Sequence, residues 1–442
     1  MESLNPFKDP GNNPRLNVLF TIYLALIPFA IGPTTRYLFS LATIALSWHI
    51  LLKERQVSPS LSLAEFIRSP LGIFLAILNL FALFSVFFSP NPAYSLKVFF
   101  EDFFLNTVLF GSVAILVSNC PNSIRWERSV ITANALFLCA YLGLMLQWVV
   151  FPSSPLFPWA DQIQGPLTRW EAVFAFGNGC RVFHGIKHTS LFLTLVIAFW
   201  TVKTVFGRLS LKEICIFLLD LFTLLTTTRR GAILAVVSGF AASQIFFRKT
   251  SKPLVSALLF IAALGTMVVV SGNMKHFVRE DWQLILKGEI EKARQLGGSI
   301  PLRVSTYRTF AREVIKDPLR PRGLGKKLIK EYRPKLVKEA GLLHGHNTLL
   351  NFAYYMGVQG ALALSAIICI QAWLFIRCLK KGRRAPERTL MATALIFMLM
   401  FWGTNMVTDG FLHGSATMYW LFTAVPTGVA MGCKPVQGNA AP

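Results

Sequence analysis

The residues with chemistry in them gather late in the chain. From Leu343 to Gly360 it reads L-H-G-H-N-T-L-L-N-F-A-Y-Y-M-G-V-Q-G, with a polar pair, His346 and Asn347, at the mouth of an apolar helix. At helical spacing Gly357 lies about three turns and Gly360 about four turns beyond His346, near one face. A histidine at the water edge of a membrane helix, looking along a stripe without bulk, suits a catalytic or ligand-gripping group. The plainer alternative is a hydrated interfacial histidine above a helix-packing G-x-x-G. His344 competes for the same role if the helix starts in a different register.

Cations stand upstream of this pair. Arg229 and Arg230 lie between two apolar runs with no real loop, and a guanidinium at a membrane edge is costly without a permanent or substrate-supplied partner. One of the two is satisfied by snorkelling to lipid phosphate; two adjacent ones fit that account less well, so at least one is expected to be functional. Arg303 opens a segment in which Val304, Tyr307, Phe310, Val314 and Ile315 recur at helical spacing. That pattern predicts an amphipathic helix with an apolar face on the membrane or the domain and basic residues such as Arg308 toward a cleft. Pro318 ends it, and Gly323 and Gly325 give a turn.

The elements that must position these groups follow from composition. The 442 residues are 54% hydrophobic and only 15% charged, which excludes an ordinary soluble protein. Apolar runs beginning at Leu16, Tyr37, Leu71, Phe99, Val130, Thr189, Glu213, Gly231, Leu254, Leu349, Leu390 and Thr417 predict about 12 transmembrane helices. The tenth is expected as one helix from Leu349 to Ile376. The fold class is therefore an all-α polytopic membrane protein with one large, partly helical periplasmic loop. Residues 1–273 carry helices 1–9, residues 274–346 the basic loop, and residues 347–442 helices 10–12 and a cytoplasmic carboxyl terminus. The Lys and Arg at 53/55, 125/128, 208/212, 248/249/252 and 377–384 fall on one side, which the positive-inside rule makes cytoplasmic.

Lys and Arg outnumber Asp and Glu by 44 to 21, a formal charge of +23. Between Lys275 and Glu339 alone there are 17 Lys or Arg against 8 Asp or Glu. A charge run is usually a solvated face. This one lies on the periplasmic side, against the topological bias, and so points to an anionic partner such as a diphosphate, lipid phosphates or an acidic glycan. No nucleic-acid partner is expected. Cys139, Cys215 and Cys369 read as small buried hydrophobes, and no C-x-x-C occurs. Glu101 and Asp102 form the adjacent acidic pair on the periplasmic side; adjacent helical residues diverge, and no D-x-D accompanies them, so no metal site is expected.

Three of these motifs, in order, carry a resemblance. T-T-T-R-R-G-A-I-L-A resembles the S/T-R-G segment of the bacterial O-antigen ligase and O-antigen polymerase superfamily, with Arg230 matching its arginine. R-V-S-T-Y…K-D-P-L-R-P-R-G-L-G is similar to the second arginine segment, with Arg303 matching and Tyr307 replacing the usual tryptophan. His346-Asn347 followed by G-x-x-G resembles the third. Arg229 departs from the usual serine, and Leu-Arg-Pro-Arg is inserted before the Gly turn. The resemblance implies a GT-C-like, inverting glycosyltransferase of the Gram-negative inner membrane with its active site facing the periplasm. Its donor would be a glycan on undecaprenyl diphosphate and its acceptor a hydroxyl of lipid A-core. Arg230 and Arg303 would stabilise the leaving diphosphate and His346 would take or orient the acceptor proton; Arg229, Tyr307, Arg308, His344, Asn347 and Asp409 would bind substrate. Asp409, near the periplasmic end of the eleventh span, could orient a basic partner or be a solvated turn residue. Polymerisation of the same glycans and transfer to protein are the alternatives within the superfamily, and lipid-linked glycan transport the alternative outside it. Transport would want ionisable groups near the midplane and an internal repeat.

Overall fold

The computed structural model describes residues 13–29, 33–53, 61–150, 185–206, 209–226, 230–247, 287, 299–341, 345, 347–381, 385–407 and 414–432. They form a helical bundle. Helices α1 (Pro14–Leu26), α2 (Pro33–Lys53), α3 (Leu63–Arg68) and α4 (Pro70–Phe87) are followed by α5 (Pro92–Val98), a π-helical turn (Phe99–Phe104) and α6 (Leu105–Asn119). Then come α7 (Trp126–Val150), α8 (Gly185–Phe206), α9 (Leu211–Thr226) and α10 (Arg230–Phe246). The basic segment supplies α11 (Ser299–Lys316), α12 (Lys326–Tyr332) and α13 (Pro334–Ala340). The chain closes with α14 (Thr348–Met356), α15 (Val358–Lys380), α16 (Ala385–Val407) and α17 (Gly414–Met431).

The expected spans fall on described helices, the tenth on two of them, except the ninth, 254–270, which lies outside the described residues. Among the described residues six helices are long and apolar enough to cross a membrane: Pro70–Phe87, Pro92–Asn119, Trp126–Gln147, Thr189–Phe206, Val358–Lys380 and Ala385–Met406. The molecule is a multi-pass helical membrane protein. Burial sorts its helices. The windows in α8 and α16 are 89% and 78% buried, whereas those in α4, α7 and α15 are 39%, 39% and 33% buried, so these three turn an apolar face outward. Cys139, Cys215 and Cys369 correct the expectation of burial: they stand exposed on α7, α9 and α15. In a bilayer that is no contradiction, because lipid is as apolar as the core and packing, not hydrophobicity, decides which face turns in.

Polar side chains tie the inner helices together. Asp220 of α9 is completely buried, and one carboxylate oxygen accepts from Trp200 Nε1 of α8 at 2.8 Å and from Asn134 Nδ2 of α7 at 3.0 Å. The sequence signal for this buried acid is a lone aspartate inside an apolar span, F-L-L-D-L-F. At one end of the same three helices Lys203 Nζ bonds Glu213 at 2.7 Å and Glu127 at 3.1 Å.

The tenth span is the element that departs most from expectation. It is two helices, α14 and α15, broken at Gly357, whose backbone lies at φ 81° and ψ 169°. Only glycine occupies that region freely. The freed backbone groups are satisfied by protein, as a break near the membrane requires. The Tyr355 carbonyl accepts from Ser85 Oγ of α4 at 2.7 Å and from the Arg322 N–H at 2.9 Å, and Val358 N–H donates to the Pro318 carbonyl at 2.8 Å. A Cβ on Gly360 would lie 2.6 Å from Met356 Cβ, so the second glycine admits the last side chain of α14. The spacing of the two glycines thus encodes a break and a close approach. It does not encode one continuous face shared with the histidine.

Candidate active site

Three elements converge on the carboxyl end of α16. The amide of Asn347 caps α14, its Oδ1 accepting from Leu350 N–H at 3.0 Å, while its Nδ2 donates to the Met406 carbonyl at 3.0 Å. Next to it Thr348 Oγ1 donates to the Asn405 carbonyl at 3.2 Å. Two residues before Asn347, Gly345 N–H is held by Asn351 Oδ1 at 2.8 Å. The chain neighbours of His346 are therefore pinned on both sides; His346 itself, with His344, lies outside the described residues. The expected substrate contact Asn347 has both ends of its amide engaged in the fold.

The second element is α11. It forms where the apolar spacing predicts, with Phe310 and Val314 buried and Phe310 packed on Tyr354 of α14 at 5.0 Å between ring centroids. Ile315, expected on the same face, is instead 76% exposed, 100° further round the helix than the buried Val314. Thr306 Oγ1 donates to the Ala340 carbonyl of α13 at 2.8 Å, which fixes the rotation of α11. Half-buried Tyr307 then reaches the Met406 carbonyl at 3.5 Å. Burial pushes its phenol above the ordinary tyrosine value, and the charge of Arg303, one turn earlier, pulls it partly back. Arg303 thus sits beside Tyr307 at this end, while Arg308 is exposed on a neighbouring face.

The third element is α10, which runs antiparallel to α16. Ala235 Cβ lies 3.7 Å from where a side chain on Gly403 would begin, and Met400 lies against Gly239. In that register the first residue of α10, Arg230, is level with the last turn of α16, the turn that Asn347 and Tyr307 touch. Only its backbone is described; Arg229 and Asp409 fall outside the described residues.

The acidic pair behaves differently. Glu101 and Asp102 lie in the π-helical turn, Glu101 beside Lys97 at 3.7 Å and Asp102 buried. Among the described residues no three His, Cys, Asp or Glu side chains group as metal ligands would. Serines are a further part of this region. Ser85, Ser89 and Ser95, near the joint of α4 and α5, receive the Gly323-Leu324-Gly325 turn: Gly323 N–H donates to Ser85 Oγ at 3.1 Å and Leu324 N–H to Ser95 Oγ at 3.1 Å.

With this geometry in view, residues 215–365 match the family model described as O-antigen ligase. The match begins within α9, takes in α10 and α11 to α14, and ends in the first turns of α15. No curated protein matches the chain.

Proposed function

With an O-antigen ligase family domain over residues 215–365 as the premise, we propose that the chain is an O-antigen ligase of the Gram-negative inner membrane. It moves glycan from undecaprenyl diphosphate to a hydroxyl of lipid A-core at the periplasmic face. The observation that carries this reading is that one family match spans Arg230, Arg303 and His346, the three residues with the chemistry for it. The end of the bundle where α10, α11, α14 and α16 meet is taken as periplasmic, in keeping with the sparse charge of its short loops and the basic segment that covers it.

The chemistry follows from charge. Cleaving the bond between sugar and diphosphate leaves concentrated negative charge on the departing oxygen. Two guanidiniums that stay charged at any physiological pH stabilise it as it forms, without a metal ion. The acceptor hydroxyl attacks the opposite face of the sugar carbon, so the configuration inverts. An imidazole with an ordinary value near 6.5 accepts the hydroxyl proton. Asn347 fixes the backbone beside that imidazole. The density of cations suits an acceptor that itself bears phosphate.

The test uses purified protein, undecaprenyl-diphosphate-linked glycan and complete or truncated lipid A-core, with EDTA present. Product on lipid A-core that disappears in His346→Ala, Arg230→Ala and Arg303→Ala supports the reading. Growth of the glycan on its own carrier replaces it with polymerisation, and no transfer to any acceptor by folded protein returns it to transport.

A further inference from the structure

At the opposite end of α11 and α14 lies a cleft of about 390 Å³ that the transfer reading does not use. Its floor is Tyr354, its basic wall Arg320, Arg322 and Arg333, and its outer lip Phe87 and Phe88, where α4 ends. Along α14, Tyr354 stands roughly 10 Å from Asn347, and along α11 the Arg322 side chain is docked about 15–20 Å from Arg303.

The arginines are placed with care. Arg322 is half-buried: one nitrogen donates to the carbonyls of Glu313 at 2.7 Å and Asp317 at 3.2 Å, another to that of Arg320 at 3.1 Å. Its guanidinium stacks 5.2 Å from the centre of the Tyr354 ring. Its bonds are to neutral carbonyls, and no carboxylate pairs with it among the described residues. The nearby carboxylates are engaged elsewhere, Glu313 by Lys316 and Asp317 loosely by Arg320 at 3.7 Å. Arg333, an exposed side chain, lines the same wall. Asp317 and Glu313 act on Arg322 only through space, so its half-buried charge has no bonded counter-ion and a ligand can supply one.

The lip determines what kind of ligand. Phe87 is 75% exposed, and Leu80 and Phe84 continue the same outward stripe down α4 at helical spacing. An anion entering beside such a stripe brings hydrocarbon with it. A phosphate offers the acceptor oxygens that guanidiniums bind in pairs. The volume, at the low end of the roughly 300–1,000 Å³ of small-ligand sites, holds a phosphorylated head and excludes a chain.

We infer that the cleft formed by Arg320, Arg322, Arg333, Tyr354 and the Phe87 lip is a binding site for a phosphate-bearing lipid headgroup, separate from the transfer end. Resting on the ligase reading, its occupant is the phosphorylated anchor of the acceptor. The site itself does not require that reading.

The experiment is a binding measurement on the full chain in phosphatidylcholine nanodiscs with no glycan donor, so failure of transfer cannot affect it. The probe is fluorescent bisphosphoryl lipid A, competed by unlabelled lipid A, its dephosphorylated form, phosphatidylglycerol and inorganic phosphate. The variants are Arg320→Gln, Arg333→Gln and the double, all on exposed side chains. Arg322 is spared because its bonds hold the loop. Binding that weakens about tenfold or more in the double variant, and as much on dephosphorylation, supports the site. Competition by phosphatidylglycerol as strong as by lipid A also supports it and identifies bulk phospholipid as the source. Equal binding of the dephosphorylated lipid, an unchanged double variant of wild-type thermal stability, or inorganic phosphate competing as well as lipid overturns it.

Discussion

The two ends of α14 are built by opposite means. At the head, side chains hold backbone: Asn347 caps the helix and grips Met406, Thr348 grips Asn405, and Asn351 holds Gly345. At the tail, backbone bonds from Arg322 to Tyr355 and from Val358 to Pro318 join the loop to the point where Gly357 breaks the helix, and Ser85 Oγ adds a side-chain donor to Tyr355. The head positions a histidine neighbourhood beside one arginine on a helix, and the tail positions arginines on a loop. Substituting side chains should therefore damage the head most, whereas changing backbone freedom should damage the tail.

The largest expected effect separates the arginines at the two ends. Arg303→Ala should lower the maximal rate of transfer about 10²–10³-fold, the usual loss when a donor to developing charge is removed. Arg333→Gln should instead raise the half-saturating concentration of phosphorylated acceptor and leave the maximal rate within a few-fold. The same kinetic pattern in both variants would dissolve the distinction between the ends.

Next in size is Gly357→Ala. An alanine at φ 81° and ψ 169° is strained by about 1–3 kcal/mol, and its Cβ would fall 2.5 Å from the Gln359 amide. Thermal unfolding in detergent should drop accordingly, whereas Gly360→Ala carries no backbone strain and costs only what it takes to move Met356 Cβ away from 2.6 Å. Wild-type stability for Gly357→Ala would mean that α14 and α15 run on as one helix.

At the head the comparison sharpens with Asn347. Asn347→Ala removes a cap worth about 1 kcal/mol and a tether worth about 0.5–1.5 kcal/mol. Asn347→Asp keeps the capping oxygen and loses the donor to Met406, so its melting temperature should fall between alanine and wild type. If activity vanishes in both while melting is unchanged, the amide faces substrate and the head is built otherwise.

How far the sequence carried follows from which interactions are local. Apolar runs announced the helices because bilayer length and apolarity are properties of single segments. The stop at Pro318 is local too, and the order of three motifs could be read directly, whereas Asn347, expected as a substrate contact, caps α14. The break at Gly357 was not, because Y-Y-M-G-V-Q-G reads as continuous apolar helix and glycine is tolerated within spans. What decides it are partners at Ser85, Pro318 and Arg322, distant in sequence. The basic cleft was hidden for a related reason. In a run of 17 cations nothing local distinguishes Arg322, which carbonyls and a tyrosine ring orient, from Lys330 or Lys335, which stand exposed. Ile315 misled because helical spacing fixes a direction without fixing how wide the neighbouring element is.

The smallest expected effect comes from Tyr307→Phe, and it bears most directly on what the head does. The hydroxyl reaches Met406 at 3.5 Å, the outer limit of a hydrogen bond, while the ring keeps its place between Arg303 and the end of α16. Losing so long a contact should cost well under about 1 kcal/mol of stability. Because burial holds the phenol above its ordinary value, it stays protonated through the pH range of assay, and its removal should leave the pH profile of transfer unchanged. A fall in rate of about tenfold or more with unaltered melting would mean that the hydroxyl donates to substrate, not to the Met406 carbonyl. Tyr307 would then act beside Arg303 in the proposed transfer site, leaving Asn347 to hold the head in place.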